Sequence, residues 1–131
     1  ILDEFVDNPG WGMATYDYLF NLLHDLQSGA PVDATIPMRT FWEHKKCMRD
    51  RLRYMEEGDY LDPLDGLSLA CDEVVKNAQR LRMILLRWRT QQRPSSIATS
   101  LEQLQEIAIA ERTLLERMLD QLRLNERCAG I

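Results

Sequence analysis

Apolar positions recur along this chain at spacings of three and four, in four separate blocks. That period, about 3.6 residues, puts each set on one face of an α-helix. Tyr16, Leu19, Leu23 and Leu26 mark the first, a helix predicted over about 14–27 and ended by Gly29 and Pro31. Phe41, Met48, Leu52 and Met55 mark the second, over about 36–57. Thr35 is its candidate N-cap, and Pro37 falls in the first turn, where its missing N–H costs little. Thr40 with Glu43 forms a competing capping box, and Gly58 is the expected C-terminal cap. The third helix is predicted over about 63–91, with Asp62 capping and Pro63 at the first helical position. Gly66 weakens that first turn by up to about 1 kcal/mol relative to Ala. The fourth, capped by Ser95 or Ser96, runs over about 96–127. Its Leu101, Leu104, Ala108, Leu115, Met118 and Leu122 form a seam close to that of a coiled coil, interrupted by the charged Glu111. Residues 1–13 read as a lead-in, with a turn at Asn8-Pro9-Gly10 and Phe5 and Trp11 as anchors.

Very short links between the last three helices predict antiparallel neighbours. The expected fold is therefore all-α, a four-helix up-down-up-down antiparallel bundle in one domain, 1–131, with long third and fourth helices. At 1.5 Å per residue those two outreach the first by about 20 Å, so part of their hairpin is expected to lack partners unless the lead-in covers it. A composition 45% hydrophobic and 28% charged supports a folded globular chain. With no apolar run near 20 residues, no membrane span is predicted, and no signal peptide is visible. The chain opens at Ile1 rather than Met, which predicts a piece of a longer protein. Three cysteines, Cys47, Cys71 and Cys128, without a short spacing argue against a disulfide framework and against zinc. Free, mostly buried thiols in a reducing cytoplasmic compartment are expected.

The third helix changes the picture. Val74, Ala78, Leu81, Leu85 and Trp88 line one face, while Val75, Met83 and Leu86 point roughly the other way. From Lys76 to Arg93 there are six basic residues and no acidic one. An exposed apolar stripe rimmed by arginine is the composition of an interface. The expected function is thus non-enzymatic, an adaptor, scaffold or assembly subunit acting through a protein partner or self-association. The expected contact residues are Val75, Arg80, Arg82, Met83, Leu86, Arg87, Arg89 and Arg93.

Net charge is −5, but the charges lie in blocks. Residues 1–38 carry six acids and no base, 39–55 six bases and two acids, 56–75 seven acids and no base. Such alternation predicts that basic segments pair with acidic ones inside the fold. The alternative is that they meet an external anion. Thirteen of the sixteen basic residues are arginine, which binds carboxylate and phosphate in a bidentate way. Arg80, Arg82, Arg87, Arg89 and Arg93 around Trp88, with Lys45, Lys46, Arg49, Arg51 and Arg53 on the second helix, make a small nucleic-acid-binding subunit the alternative function. A pI near 5.0 counts against it.

Catalytic signals are sparse. There is no Glu-x-x-His di-iron signature, no Gly-rich phosphate loop, no nucleophile elbow and no Cys-x-x-Cys, so neither a metal nor another cofactor is expected. His24 and Asp25 are neighbours and point about 100° apart on a helix, so they form no dyad. Arg39, four residues and His44 resemble the short motif of HEPN-type ribonucleases, although on a regular helix the two point about 140° apart. The resemblance implies His44 as general acid or base and Arg39 as a stabiliser of phosphate charge. One histidine on the second of four helices, followed by Lys45 and Lys46, is also similar to a histidine phosphotransfer domain. The sequence departs from that pattern at Met48, where a small residue is expected.

Overall fold

The computed structural model describes residues 14–129, with side chains to Asn125. The lead-in, with its turn and its Phe5 and Trp11 anchors, lies outside the described residues. The chain is all-helical, with four helices packed against one another and no strand among the described residues. They are α1 (Ala14–Gln27), α2 (Thr35–Glu57), α3 (Leu67–Gln91) and α4 (Pro94–Ala129). The closest packing is α2 on α3, then α3 on α4, then α1 on α4. No helix among the described residues is long and apolar enough to cross a membrane.

Helix ends follow local chemistry more finely than periodicity does. Gly29 (φ +86°) closes α1, and Ala30 N–H returns to Asp25 O at 2.9 Å. Thr35 is the first residue inside α2 rather than its cap, and the methyl of Ala34 at the cap cannot accept a hydrogen bond. Asp33 takes over, accepting from Thr35 N at 2.9 Å and Thr35 Oγ1 at 2.6 Å. The competing Thr40–Glu43 start is not used. Gly58 N–H donates to Tyr54 O at 3.0 Å and ends α2. The third helix starts four residues later than its proline suggested. Asp62 does cap, accepting from Leu64 N at 2.9 Å, but the turn Pro63–Asp65 is a 3-10 turn. Gly66 then adopts φ +67°, a left-handed conformation that breaks the path before Leu67. Pro94 itself opens α4, with Ser95 and Ser96 inside its first turn.

The core falls into two clusters. The larger joins all four helices, from Tyr16, Leu19 and Leu23 on α1 to Leu104 and Ile107 on α4. The smaller joins Leu52, Leu61, Leu67, Cys71 and Leu114, so it draws on α2, α3, α4 and the α2–α3 link. Each fully buried Leu or Val side chain contributes roughly 1.5–3 kcal/mol, so both clusters matter to stability. Along α2 and α4 the boundary between them is marked by charge. Lys45 follows Phe41 and precedes Leu52; Glu111 follows Ala108 and precedes Leu114. Both are 1% exposed, and Lys45 Nζ is bonded to Glu111 Oε1. Lys45 Nζ also lies 5.0 Å from the Phe41 ring and 5.5 Å from the Tyr16 ring. Cys71 Sγ donates to Lys45 O at 3.9 Å. Every helix thus supplies one polar group to this layer: Tyr16, Lys45, Cys71 and Glu111.

The overhang of the long helices is not left without partners. Gln121 Oε1 on α4 accepts from Asp62 N at 2.9 Å, and Asn125 Nδ2 donates to Tyr60 O at 2.7 Å. Arg117 donates to Asp65 O. The far half of α4 therefore clamps the α2–α3 link.

Candidate functional site

On α2 the residues Thr35, Arg39, Trp42, Lys46, Arg49 and Arg53 repeat at spacings of four and three, so they form one stripe. That stripe meets α3. At one end Arg49 Nη1 reaches Asp72 Oδ1 at 3.0 Å, Arg53 Nη2 approaches the same oxygen at 4.0 Å, and Lys76 Nζ lies 3.6 Å from Asp72 Oδ2. Three cations around one carboxylate hold the Asp72 carboxyl below its ordinary range, the Arg49 hydrogen bond being the largest cause.

The other end is built differently. Lys46 Nζ sits over the Trp42 ring at 3.7 Å, and the Arg82 guanidinium carbon is 5.0 Å from the same ring. Such contacts are worth about 0.5–2 kcal/mol depending on desolvation. Trp42 is half-buried and packs on the larger core cluster, which fixes the ring. Arg82 Nη1 is further held by Gln79 Oε1 at 3.3 Å, and Arg89 Nη1 donates to Thr35 Oγ1 at 3.2 Å. Among the described residues, no carboxylate oxygen lies within 4.0 Å of Lys46, Arg82 or Arg89. Arg39, on the same stripe, is engaged by Glu43 at 3.1 Å. The result is a basic groove on the α2–α3 face, closed by Asp72 at one end, with Lys46 and Arg82 on Trp42 lacking a carboxylate within 4.0 Å among the described residues.

A pocket of about 250 Å³ opens beyond Arg89, where α1 ends and α2 begins. Leu26, Leu85 and Trp88 form its apolar side, and Asp33, Thr35, Arg89 and Gln92 its polar side. The Asp33 carboxyl is held below its usual range, first by the Thr35 hydroxyl and amide that it accepts, and less by the Arg89 charge.

Several expectations about α3 need correction. Val75 is 5% exposed and belongs to the interior, Leu86 is half-buried, and Met83 is 41% exposed, so these three make no continuous outward stripe. At 100° per residue Val75 and Leu86 fall on the side of Arg82, while Met83 falls with Arg80 and Arg87. Arg82 and Arg89 are brought to the groove with Trp42. Arg80 and Arg87 point away from it, and Arg80 Nη1 is bonded to Asn77 Oδ1 at 3.2 Å. Arg93 is exposed in the link between α3 and α4. The interleaved aromatic is Trp42 rather than Trp88, which packs against the core. Lys45, placed by sequence among the basic surface residues of α2, is buried. Cys47, expected with the buried thiols, is exposed and free, whereas Cys71 is buried and its thiol is pushed up to about 12 by burial and then by Glu111.

His44 is exposed, and partial desolvation followed by the Lys45 charge lowers its pKa, which keeps the imidazole neutral at pH 7. No group of three His, Cys, Asp or Glu side chains among the described residues is placed to hold a metal ion. The groove offers fixed positive charge, one aromatic ring and a pocket, the materials of recognition. No family model, curated protein or solved structure matches the chain.

Proposed function

We propose that the protein is a non-enzymatic binding module, an adaptor or assembly subunit, whose α2–α3 groove takes an acidic segment of a partner protein. The bundle that presents the groove is read as up-down-up-down. Cross-helix pairs support that order: Thr35 with Arg89 and Arg49 with Asp72 run in opposite senses on α2 and α3, and Arg117, late on α4, reaches Asp65 just before α3 begins. The observation that carries the function is Trp42 with Lys46 and Arg82 over its ring, and no carboxylate beside either cation among the described residues. Two cations ordered on one rigid ring lose less side-chain entropy on meeting an anion than two free surface cations do.

A nucleic-acid backbone is the weaker reading. Net charge is −5, so a long polyanion meets repulsion outside the groove, whereas a short acidic segment need span only the groove. The Trp42 ring is also already occupied by the two cations and by the core, which disfavours stacking a base on it. The free thiols Cys47 and Cys71 fit a reducing, cytoplasmic setting.

The test is the affinity of a labelled oligoglutamate peptide, followed by fluorescence anisotropy at low and high salt. Arg82→Glu is expected to weaken binding by about tenfold or more, and Arg80→Glu, on the opposite side of α3, by less than about twofold. Equal effects of the two substitutions would remove the groove from consideration.

A further inference from the structure

The groove does not end at Arg89; it runs into the pocket between the α1–α2 loop and the end of α3. Resting on the groove reading, we propose that the partner segment carries an aromatic side chain three residues from an acidic one, and that this aromatic side chain seats in the pocket.

Size selects the occupant. Pockets that hold whole small-molecule ligands run to about 300–1,000 Å³. This one, at about 250 Å³, holds a single large side chain. Its lining, part polar and part apolar, suits an aromatic ring. Leu26 and Leu85 are 4% exposed and make a fixed floor, with the half-buried Trp88 beside them, so a flat ring gains apolar contact. The polar side, with Asp33, Thr35 and Gln92, suits the edge of a ring, which carries partial positive charge. A carboxylate does not belong in the pocket, because the Asp33 charge lines it. It belongs on Arg89 at the mouth and on Arg82 beyond.

Spacing then sets the motif. Arg89 and Arg82 are seven residues apart on α3, about 10 Å along the helix. An extended chain advances about 3.3 Å per residue, so it covers that distance in about three residues. A carboxylate three residues from the seated aromatic therefore arrives at Arg82, with Lys46 and Trp42 opposite.

The experiment uses two labelled Gly-Ser peptides with a glutamate three residues before and three residues after the centre. One has phenylalanine at the centre and the other glycine. The full chain is titrated with each, and a twelve-residue oligothymidylate serves as the comparison. The phenylalanine peptide is expected to bind at least about tenfold more tightly than the glycine peptide. In Val32→Trp, which narrows the pocket from its exposed loop rim, that advantage is expected to fall below about twofold while glycine-peptide affinity is unchanged. Arg82→Glu is expected to abolish binding of both peptides. Equal binding of the two peptides to the unaltered chain overturns the pocket inference and leaves the groove reading standing. Failure of both peptides to bind overturns the two together. Tighter binding of oligothymidylate than of either peptide overturns the assignment of an acidic protein segment.

Discussion

Lys45 and Lys46 are adjacent in sequence and serve two regions that work by opposite physics. Lys45 points inward, loses its water and is held by Glu111, with Tyr16 and Cys71 completing a polar layer in the core. Lys46 points along the groove, stays half-exposed and lies on Trp42. A buried charge is tolerable only with a partner charge, because desolvating an unpaired ion costs several kcal/mol. A surface charge needs no such partner and is available for another molecule. The lesson is that the basic block of α2 cannot be read as one patch. One residue, about 100° around the helix, separates a structural charge from one left at the surface.

The same contrast runs along the groove. Near Asp72 three cations share a carboxylate from the same chain; near Trp42 two cations share a ring. The first arrangement answers the chain's own charge. The second answers only its shape and leaves net positive charge in place.

The largest effect is expected at the buried pair. Glu111→Ala strands the Lys45 ammonium in the core and is expected to cost about 3–5 kcal/mol in urea denaturation. Lys45→Met combined with Glu111→Leu replaces both charges with apolar groups and is expected to recover most or all of that loss. If the single and double variants were equally unstable, the layer would owe its stability to something other than charge pairing. A smaller effect is expected at Tyr16. Burial, then the Glu111 carboxylate that its hydroxyl faces, hold the phenol well above its usual range. Tyr16→Phe takes a donor away from the buried Glu111 carboxylate, whose Oε2 has no other partner among the described residues, and is expected to lower stability by about 1 kcal/mol. A gain of that size would show that the hydroxyl is unsatisfied in the fold.

The smallest effect is expected at the surface end. The Asp72 carboxyl is lowered from 3.8 in the folded chain, so the stability it contributes is present above the unfolded value and lost as pH falls through the folded one. The stability difference between the unaltered chain and Asp72→Asn should accordingly be the same at pH 7 and pH 5, begin to shrink below about pH 4 and vanish only once the pH lies below the folded value. A difference that grew with acid would contradict the ion-pair account. Added salt should shrink it, whereas the Glu111→Ala effect, screened from solvent, should persist.

Periodicity alone determined that this chain makes four helices of these approximate lengths. The spacing of Tyr16, Leu19, Leu23 and Leu26 predicted α1 to its observed ends, because a 3.6-residue repeat is a local property of the chain. The polar layer was also written in the repeat, though easily passed over. Glu111 interrupts an otherwise apolar seam, and Lys45 stands four residues after Phe41 and three before Met48, in line with the core face. Gly66 was visible as a weak point, but that it delays α3 to Leu67 depends on its left-handed backbone. What tertiary structure alone decided is which charges meet. Asp72 lies 23 residues from Arg49, Glu111 lies 66 from Lys45, and Arg82 lies 40 from Trp42. Helix periodicity tells which residues share a face, but only the packing of α2 on α3 tells which face it meets. That is why the second stripe of α3 dissolved into interior and surface, and why the groove with Trp42 took its place.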